Sequence, residues 1–105
     1  MRTLWVALLL SVAAITPSAA ACFSFGCTDE DEFSYEDLED LKCSQLWQLR
    51  NIMYDEAGYC FKTTRARQEF DNSDCEIDDM EDVELSEIEY ANIAMIQELE
   101  GDRGC

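Results

Sequence analysis

The sequence predicts a small all-α domain, stapled by disulfides, with about three helices that follow a cleaved signal peptide and an acidic arm. Two segments place apolar residues at helical spacing and have capping residues at their ends. No stretch alternates well enough to predict a strand. All six cysteines follow an apolar leader in a chain of 105 residues, which is typical of a disulfide framework in an exported protein.

Residues 1–21 have the layout of a secretory signal peptide. Arg2 supplies a positive charge, residues 4–15 form an apolar run, and small residues follow as far as Ala21. The apolar run is shorter than the roughly 20 residues that a membrane-spanning helix needs. We therefore expect export to the periplasm or the medium, with cleavage after Ala20 or Ala21.

Lipidation of Cys22 is an alternative, because lipoprotein signals also place small residues directly before an acylated cysteine. Such signals usually carry leucine three positions before the cysteine, and Ala19 occupies that place here. The residues favour ordinary cleavage.

The chain beyond the signal peptide is strongly acidic. Arg2 is the one charged residue of the first 21, so six Lys and Arg remain against 24 Asp and Glu, a net charge of −18. Binding phosphate groups requires a basic surface, which argues against DNA, RNA or an anionic membrane as a partner. The excess of acidic residues favours solubility and permits a cationic partner.

Residues 22–40 are predicted to form an acidic, flexible arm. Residues 29–32 are all acidic, and such runs usually remain solvated. Ser34 can cap a short helix after them, and we expect order to begin near Tyr35.

The first long helix is predicted over residues 45–57, with Ser44 as its N-cap and Gly58 just past its end. Arg50 falls inside its apolar stripe. An unpaired buried charge is too costly, so an ion pair with an acid is the first interpretation, and an anion site is the alternative. The apolar residues that share the stripe, at about 100° per residue, are Leu46, Trp47, Leu49, Met53, Tyr54 and Ala57.

A shorter helix is predicted over residues 65–71, starting at Thr63 or Thr64 and ending near Asn72. Ala66 and Phe70 face one side of it. The one basic cluster of the chain lies around this helix and consists of Lys62, Arg65 and Arg67.

The last helix begins with a capping box formed by Ser86 and Glu89. Leu85 and Tyr90 occupy the positions of a hydrophobic staple, and Gly101 is expected to end the helix. The residues on its core stripe are Ile88, Asn92, Met95, Ile96 and Leu99.

The helix placement restricts the disulfide pairing. Cys43 and Cys60 bracket a helix about 20 Å long, whereas a disulfide needs Cα atoms within about 7 Å. Cys60 can reach Cys75 around the short helix, and antiparallel packing of the first and last helices brings Cys105 near Cys43. We predict three disulfides: Cys60–Cys75, Cys43–Cys105 and Cys22–Cys27.

The run LWQLRNIMYDEAGYCFKTTRARQEF, residues 46–70, resembles the YARHG domain, a small module of exported bacterial proteins. Relatives read approximately Leu-Trp-x-x-Arg-Asn-x-Ile-Tyr-Ala-Arg-His-Gly-Tyr-x-Phe. The resemblance extends over residues 41–105 and implies export and a helical fold. The positions that match the pattern are Leu46, Trp47, Arg50, Asn51, Tyr54, Gly58, Tyr59 and Phe61.

The chain departs from this pattern at its centre. Asp55-Glu56-Ala57 stands where relatives have Ala-Arg-His, so both the arginine and the histidine are missing. The family brings no established reaction that could be carried over.

The sequence contains no signature of a reaction. The absence of histidine removes the usual serine and cysteine triads and the histidine zinc sites. Residues 71–82 are rich in oxygen ligands, but Glu76 and Asp82 stand where a calcium loop of the EF-hand type needs glycine and glutamate. We predict no catalytic residue, no metal ligand and no cofactor.

The function predicted is that of an exported, non-catalytic module that binds another envelope or extracellular component. The sequence assigns no particular partner and no oligomeric state. The alternatives are a small carboxylate-based hydrolase and an acidic calcium-binding protein. A cleft with two carboxylates of strongly raised pKa would favour the hydrolase.

Overall fold

Two helices, α2 (Cys43–Glu56) and α4 (Glu87–Arg103), form the frame of the computed structural model, which describes residues 21–105. The predicted signal peptide lies outside the described residues, except for Ala21. Within that range the chain is mostly helical. The other elements are β1 (Cys22–Phe23), β2 (Gly26–Cys27), α1 (Tyr35–Leu38), α3 (Thr64–Glu69) and a 3-10 helix (Met80–Asp82).

The frame helices run antiparallel, because the disulfide Cys43–Cys105 joins the start of α2 to the end of α4. The apolar faces of α2 and α4 bury the first core cluster together with side chains from the segment before α2. Each buried side chain of this size contributes about 1.5–3 kcal/mol. The cluster consists of Phe33, Leu38, Leu46, Leu49, Met53, Ile93, Ile96 and Leu99.

A second core cluster lies under the chain between α2 and α4. Ile52, Tyr54 and Leu85 pack against both clusters and connect them. Tyr59 and Phe61, two of the positions that match the family pattern, are buried in this cluster. The buried members are Tyr59, Phe61, Ala66, Phe70 and Val83.

Helix α2 begins earlier than predicted. Lys42 is its N-cap, and the Lys42 backbone N–H donates to Gln45 Oε1 at 2.8 Å. Ser44 therefore lies inside the helix, and its prediction as the N-cap was wrong. The predicted glycine stop is confirmed: Ala57 is the C-cap and Gly58 follows with φ +92°.

Helix α4 continues through Gly101, so the prediction that this glycine ends the helix was wrong. A glycine inside a helix costs only about 1 kcal/mol, which tertiary contacts can offset. The helix ends instead at Gly104, with φ +67°. The Arg103 guanidinium also holds this end, because it donates to the backbone carbonyls of Glu39 and Leu41.

The capping box of α4 is confirmed. Ser86 Oγ accepts from the Glu89 N–H at 3.1 Å, and Glu89 Oε1 accepts from the Ser86 N–H at 3.0 Å. The short helix α3 is capped by Thr63, whose Oγ1 accepts from the Ala66 N–H. It ends before residue 71, because Phe70 has an extended backbone.

The segment predicted to be a flexible arm is packed on the frame. Strands β1 and β2 pair antiparallel, with Cys22 opposite Cys27. Thr28 and Phe33 are 0% and 2% exposed. The prediction of a flexible arm rested on the acidic side chains between these two residues. It missed that Thr28 and Phe33, on either side of them, are buried. The absence of strands was likewise predicted wrongly, since β1 and β2 form a minimal hairpin.

Asn92 of α4 holds this segment in place. Its Oδ1 accepts from the Phe33 N–H at 2.7 Å. Its Nδ2 donates to the carbonyls of Thr28 at 3.1 Å and Asp31 at 2.9 Å. Asn92 is 0% exposed. One buried side chain thus satisfies three backbone groups of a segment that has little secondary structure of its own.

Three disulfides link the described part of the chain, with Cα–Cα distances of 3.9 Å for Cys22–Cys27, 5.5 Å for Cys43–Cys105 and 5.1 Å for Cys60–Cys75. These are the pairs that the helix placement predicted. The second disulfide closes the longest loop and on chain-entropy grounds contributes about 4 kcal/mol. Three disulfides fit an oxidising compartment. Among residues 21–105, no helix has the length and apolar character that a membrane span requires.

The same substitution at two glycines should have opposite effects. Gly58→Ala should destabilise by about 1–2 kcal/mol, because φ +92° strains any residue with a Cβ, although the Cβ itself meets no atom within 4 Å. Gly101→Ala lies inside α4 with equal space and should stabilise by about 0.5–1 kcal/mol. Urea unfolding measures both, and equal shifts would contradict the two backbone assignments.

Replacing Asn92 by leucine should cost about 3 kcal/mol or more, because three buried backbone groups lose their partners at roughly 1–3 kcal/mol each. Asn51→Leu is the matched control. Asn51 is also buried, but it donates only to the Trp47 carbonyl, which already accepts a helical bond. Hydrogen exchange should show protection lost first in residues 22–33 of the Asn92 variant. Retained protection there would show that Asn92 does not anchor the segment.

Candidate functional site

The motif glycine forms a corner between α2 and the second core cluster. The Gly58 carbonyl accepts from the Glu76 N–H at 2.9 Å and the Ile77 N–H at 3.0 Å. The Cys60 N–H donates to the Ile77 carbonyl at 2.8 Å, and Tyr59 and Ile77 form a β-bridge. The corner is therefore pinned to the loop after α3, and the Cys60–Cys75 disulfide closes the same junction.

The aromatic motif residues pack inside the domain. The Tyr59 ring meets the Tyr54 and Phe61 rings edge-on, with centroids 6.2 and 5.1 Å apart. Trp47 is half-buried against Phe70, with ring centroids 6.0 Å apart. Leu46 is fully buried. These contacts assign a structural role to this part of the motif.

Arg50 forms an ion pair with Glu100 of α4. Its Nε lies 2.7 Å from Glu100 Oε1, and its Nη2 lies 3.2 Å from Oε2. Both side chains are about one-fifth exposed or less. The ion-pair interpretation of Arg50 is therefore confirmed, and the guanidinium is not directed at a free anion.

The predicted basic cluster is also engaged within the domain. The Arg65 guanidinium lies 3.9 Å from the centroid of the Trp47 ring, a cation–π geometry. Arg67 Nε donates to the Phe61 carbonyl at 3.0 Å. Lys62 Nζ is 3.2 Å from Asp78, in an exposed pair.

Asp55 and Glu56 stand at the end of α2, where the pattern that the chain resembles has Ala-Arg, and both have raised pKa values. Burial, with the carboxylates of Asp74 and Asp71, raises the pKa of Asp55. Besides burial, the pKa of Asp55 therefore depends on two acids of the loop after α3.

Glu56 is more strongly affected. Burial, with the carboxylates of Glu89, Asp29 and Asp55, raises the pKa of Glu56 to about 7. The Ala21 backbone N–H donates to the Glu56 carboxylate and opposes part of this rise. The end of α2 thus collects negative charge where the helix dipole favours a cation, and its last turn carries no basic residue.

An apolar groove lies between the β1–β2 hairpin and α2. Its volume is about 220 Å³. Phe23 stacks on Phe25 with ring centroids 5.5 Å apart, and Phe23 remains 42% exposed. Gln45 and Gln48 are the polar side chains of its wall. The apolar lining consists of Phe23, Phe25, Leu41, Leu49 and Ile52.

Sequence reasoning missed this groove. Leu49 was predicted to lie on the apolar stripe of α2, but Phe23 and Phe25 were assigned to the flexible arm. The signal was available in CFSFGC, where two aromatic rings alternate inside a loop short enough for its terminal cysteines to pair. Phe25 lies in the turn between β1 and β2, and its ring stacks on that of Phe23.

Neither alternative function gains a site from this geometry. The groove wall contains no carboxylate, and Asp55 and Glu56 do not line it. Within residues 21–105, the cluster spaced for a metal is Cys27, Glu30 and Asp31, and it does not involve residues 71–82. Cys27 is in a disulfide, which removes its thiolate.

The fold and the groove define a small, mostly helical, disulfide-bonded module whose accessible feature is an apolar surface on an acidic body. The YARHG domain profile matches residues 16–101 of this chain. The protein therefore belongs to the YARHG domain family. Comparisons with curated proteins and with solved structures give no match.

A double-mutant cycle can test the structural role of Arg50. Arg50→Gln and Glu100→Gln should each destabilise the fold, and the double variant should lose less than the sum. We expect a coupling energy of about 1 kcal/mol, because the pair is partly shielded and doubly bonded. A coupling near zero, or an increase in stability on adding phosphate or sulfate to the wild type alone, would favour an anion site instead.

Proposed function

We propose that the protein is an exported, non-catalytic module that binds a basic segment of another envelope or extracellular protein through the groove between the hairpin and α2. Export is supported by the leader in residues 1–21 and by the three disulfides. The observation that carries the binding role is the exposed aromatic wall of the groove, formed by Phe23 over Phe25.

The size of the groove favours a side chain of a protein partner. Small-molecule sites usually enclose about 300–1,000 Å³, whereas this groove encloses about 220 Å³. An apolar side chain entering it would meet aromatic and aliphatic carbon, and Gln45 and Gln48 could bond to the partner's backbone. Aromatic residues with exposed faces are also the residues that carry binding energy at interfaces.

The charge of the chain selects the kind of partner. With a net charge of −18 beyond the leader, the protein attracts basic surfaces and repels acidic ones at long range. We therefore assign to the partner a large apolar side chain flanked by lysine or arginine. Such a complex should weaken as salt concentration rises.

Two groove variants and one matched control test the proposal. Phe23→Ser removes the exposed ring, and Gln48→Arg places a cation on the wall without altering the hairpin. Met80→Ser removes a side chain of equal exposure (43%) that does not line the groove. The wild type and Met80→Ser should retain the same basic envelope protein from an extract. Each groove variant should weaken that binding about tenfold, or roughly 1.4 kcal/mol.

Binding should be measured on the purified partner at low and at physiological salt, and circular dichroism should show that all variants are folded. Binding by both groove variants that is as tight as binding by the wild type would refute the groove as the binding surface. An acidic partner, or an affinity independent of salt, would refute the charge assignment. Failure to retain any protein would count against a binding role.

A further inference from the structure

The segment after the leader reaches the acidic end of α2 at a defined point. The Ala21 carbonyl accepts from the Thr28 N–H at 3.0 Å, and the Ala21 N–H donates to the Glu56 carboxylate. The Cys22–Cys27 disulfide and the Asn92 bond to the Thr28 carbonyl fix this arrangement on α4. Both polar backbone atoms of Ala21 are therefore engaged within the domain.

We infer that the precursor is cleaved between Ala20 and Ala21, and that the new α-ammonium group of Ala21 forms an ion pair with Glu56. A peptidase of the export machinery would add water across the Ala20–Ala21 peptide bond. This hydrolysis leaves a carboxylate on Ala20 and an amine on Ala21, which takes up a proton at neutral pH. The domain thus contains a receptor site for its own mature N-terminus.

The residues before the bond suit this cleavage. Ser18 and Ala20 occupy the third and first positions before it, which is the small-residue pattern of a signal cleavage site. Cleavage one residue later would satisfy the same pattern with Ala19 and Ala21. The fold distinguishes the two sites, because the later cut would remove the Ala21 atoms that bond to Thr28 and Glu56.

The negative charge around Glu56 favours the binding of a cation there. The carboxylates that raise the pKa of Glu56 come from three parts of the chain: Asp55 on α2, Glu89 on α4 and Asp29 after the hairpin. The helix dipole adds partial negative charge at this end of α2. Asp29 Oδ1 is buried and has no hydrogen-bond partner among the described residues. An ammonium group offers three N–H donors where the peptide offers one, so it can supply a donor to Asp29 as well.

Cleavage should also change the dependence of stability on pH. While Ala21 is peptide-bonded, the pKa of Glu56 is raised from 4.5 to about 7. For an acid with a raised pKa, the stabilisation is complete below pH 4.5 and is lost as the pH rises towards 7. A cation beside Glu56 favours the carboxylate and reverses this loss. This inference rests on the proposed export but not on the groove, so the two can fail separately.

The first experiment is to express the complete precursor in a bacterium and to sequence the N-terminus of the exported protein. We expect it to begin at Ala21. A chain beginning at Cys22 or elsewhere, or one that retains its leader, would overturn the inference.

The second experiment compares melting temperatures of the protein with a free and with an N-acetylated Ala21. The free form should melt higher at pH 7, and the difference should shrink as the pH falls and Glu56 becomes protonated in both forms. Glu56→Gln should clearly reduce the difference at pH 7. Glu98→Gln, which neutralises an exposed acid elsewhere on α4, should preserve it. Equal melting of the two forms at pH 7, or a difference that Glu56→Gln leaves unchanged, would refute the ion pair.

Discussion

The hydrogen bonds of the Asn92 side chain hold residues 28–33 on α4, and the N-terminal half of the domain depends on them. A segment with a two-residue strand pair and few apolar side chains cannot bury enough surface to order itself. The Asn92 side chain compensates for this, because its hydrogen bonds replace those that three backbone groups would form with water in the unfolded chain. Two of these bonds are buried and the third is partly buried, so removing the partner costs more than the same bonds would contribute at the surface.

Two surfaces follow from this anchor. Phe33 is fixed in the core, the Phe25 ring meets it edge-on at 4.9 Å, and Phe23 stacks on Phe25. This aromatic series forms the outer wall of the groove. On the other side of the hairpin, Thr28 orients Ala21 towards Glu56. A change at Asn92 would therefore affect the groove and the acidic end of α2 together, although its hydrogen bonds go to Thr28, Asp31 and Phe33.

Much of the frame could be predicted from local chemistry. Ser86 with Glu89, Thr63 and Gly58 act through neighbours within about one helical turn, so their roles follow from spacing alone. The disulfide pairing followed from helix length. The packing of residues 22–33 could not be predicted in this way, because it depends on Asn92, some 60 positions away. The run of acids at 29–32 is also compatible with a solvated tail, and only a tertiary contact decides between the two states.

The departure from the family pattern at Asp55-Glu56-Ala57 can be understood from the charges at the end of α2. The C-terminal end of a helix attracts positive charge. The pattern that this chain resembles has arginine at the position of Glu56. In this chain the side chain there is acidic, and three further carboxylates raise the pKa of Glu56. Such a concentration of like charge is unfavourable unless a cation enters it. In the described residues, Arg50 is already paired with Glu100, and Arg65 with Trp47. The backbone nitrogen of Ala21 already donates to Glu56 as an amide. Cleavage before Ala21 would make that nitrogen cationic, so export itself would complete the charge balance of the fold.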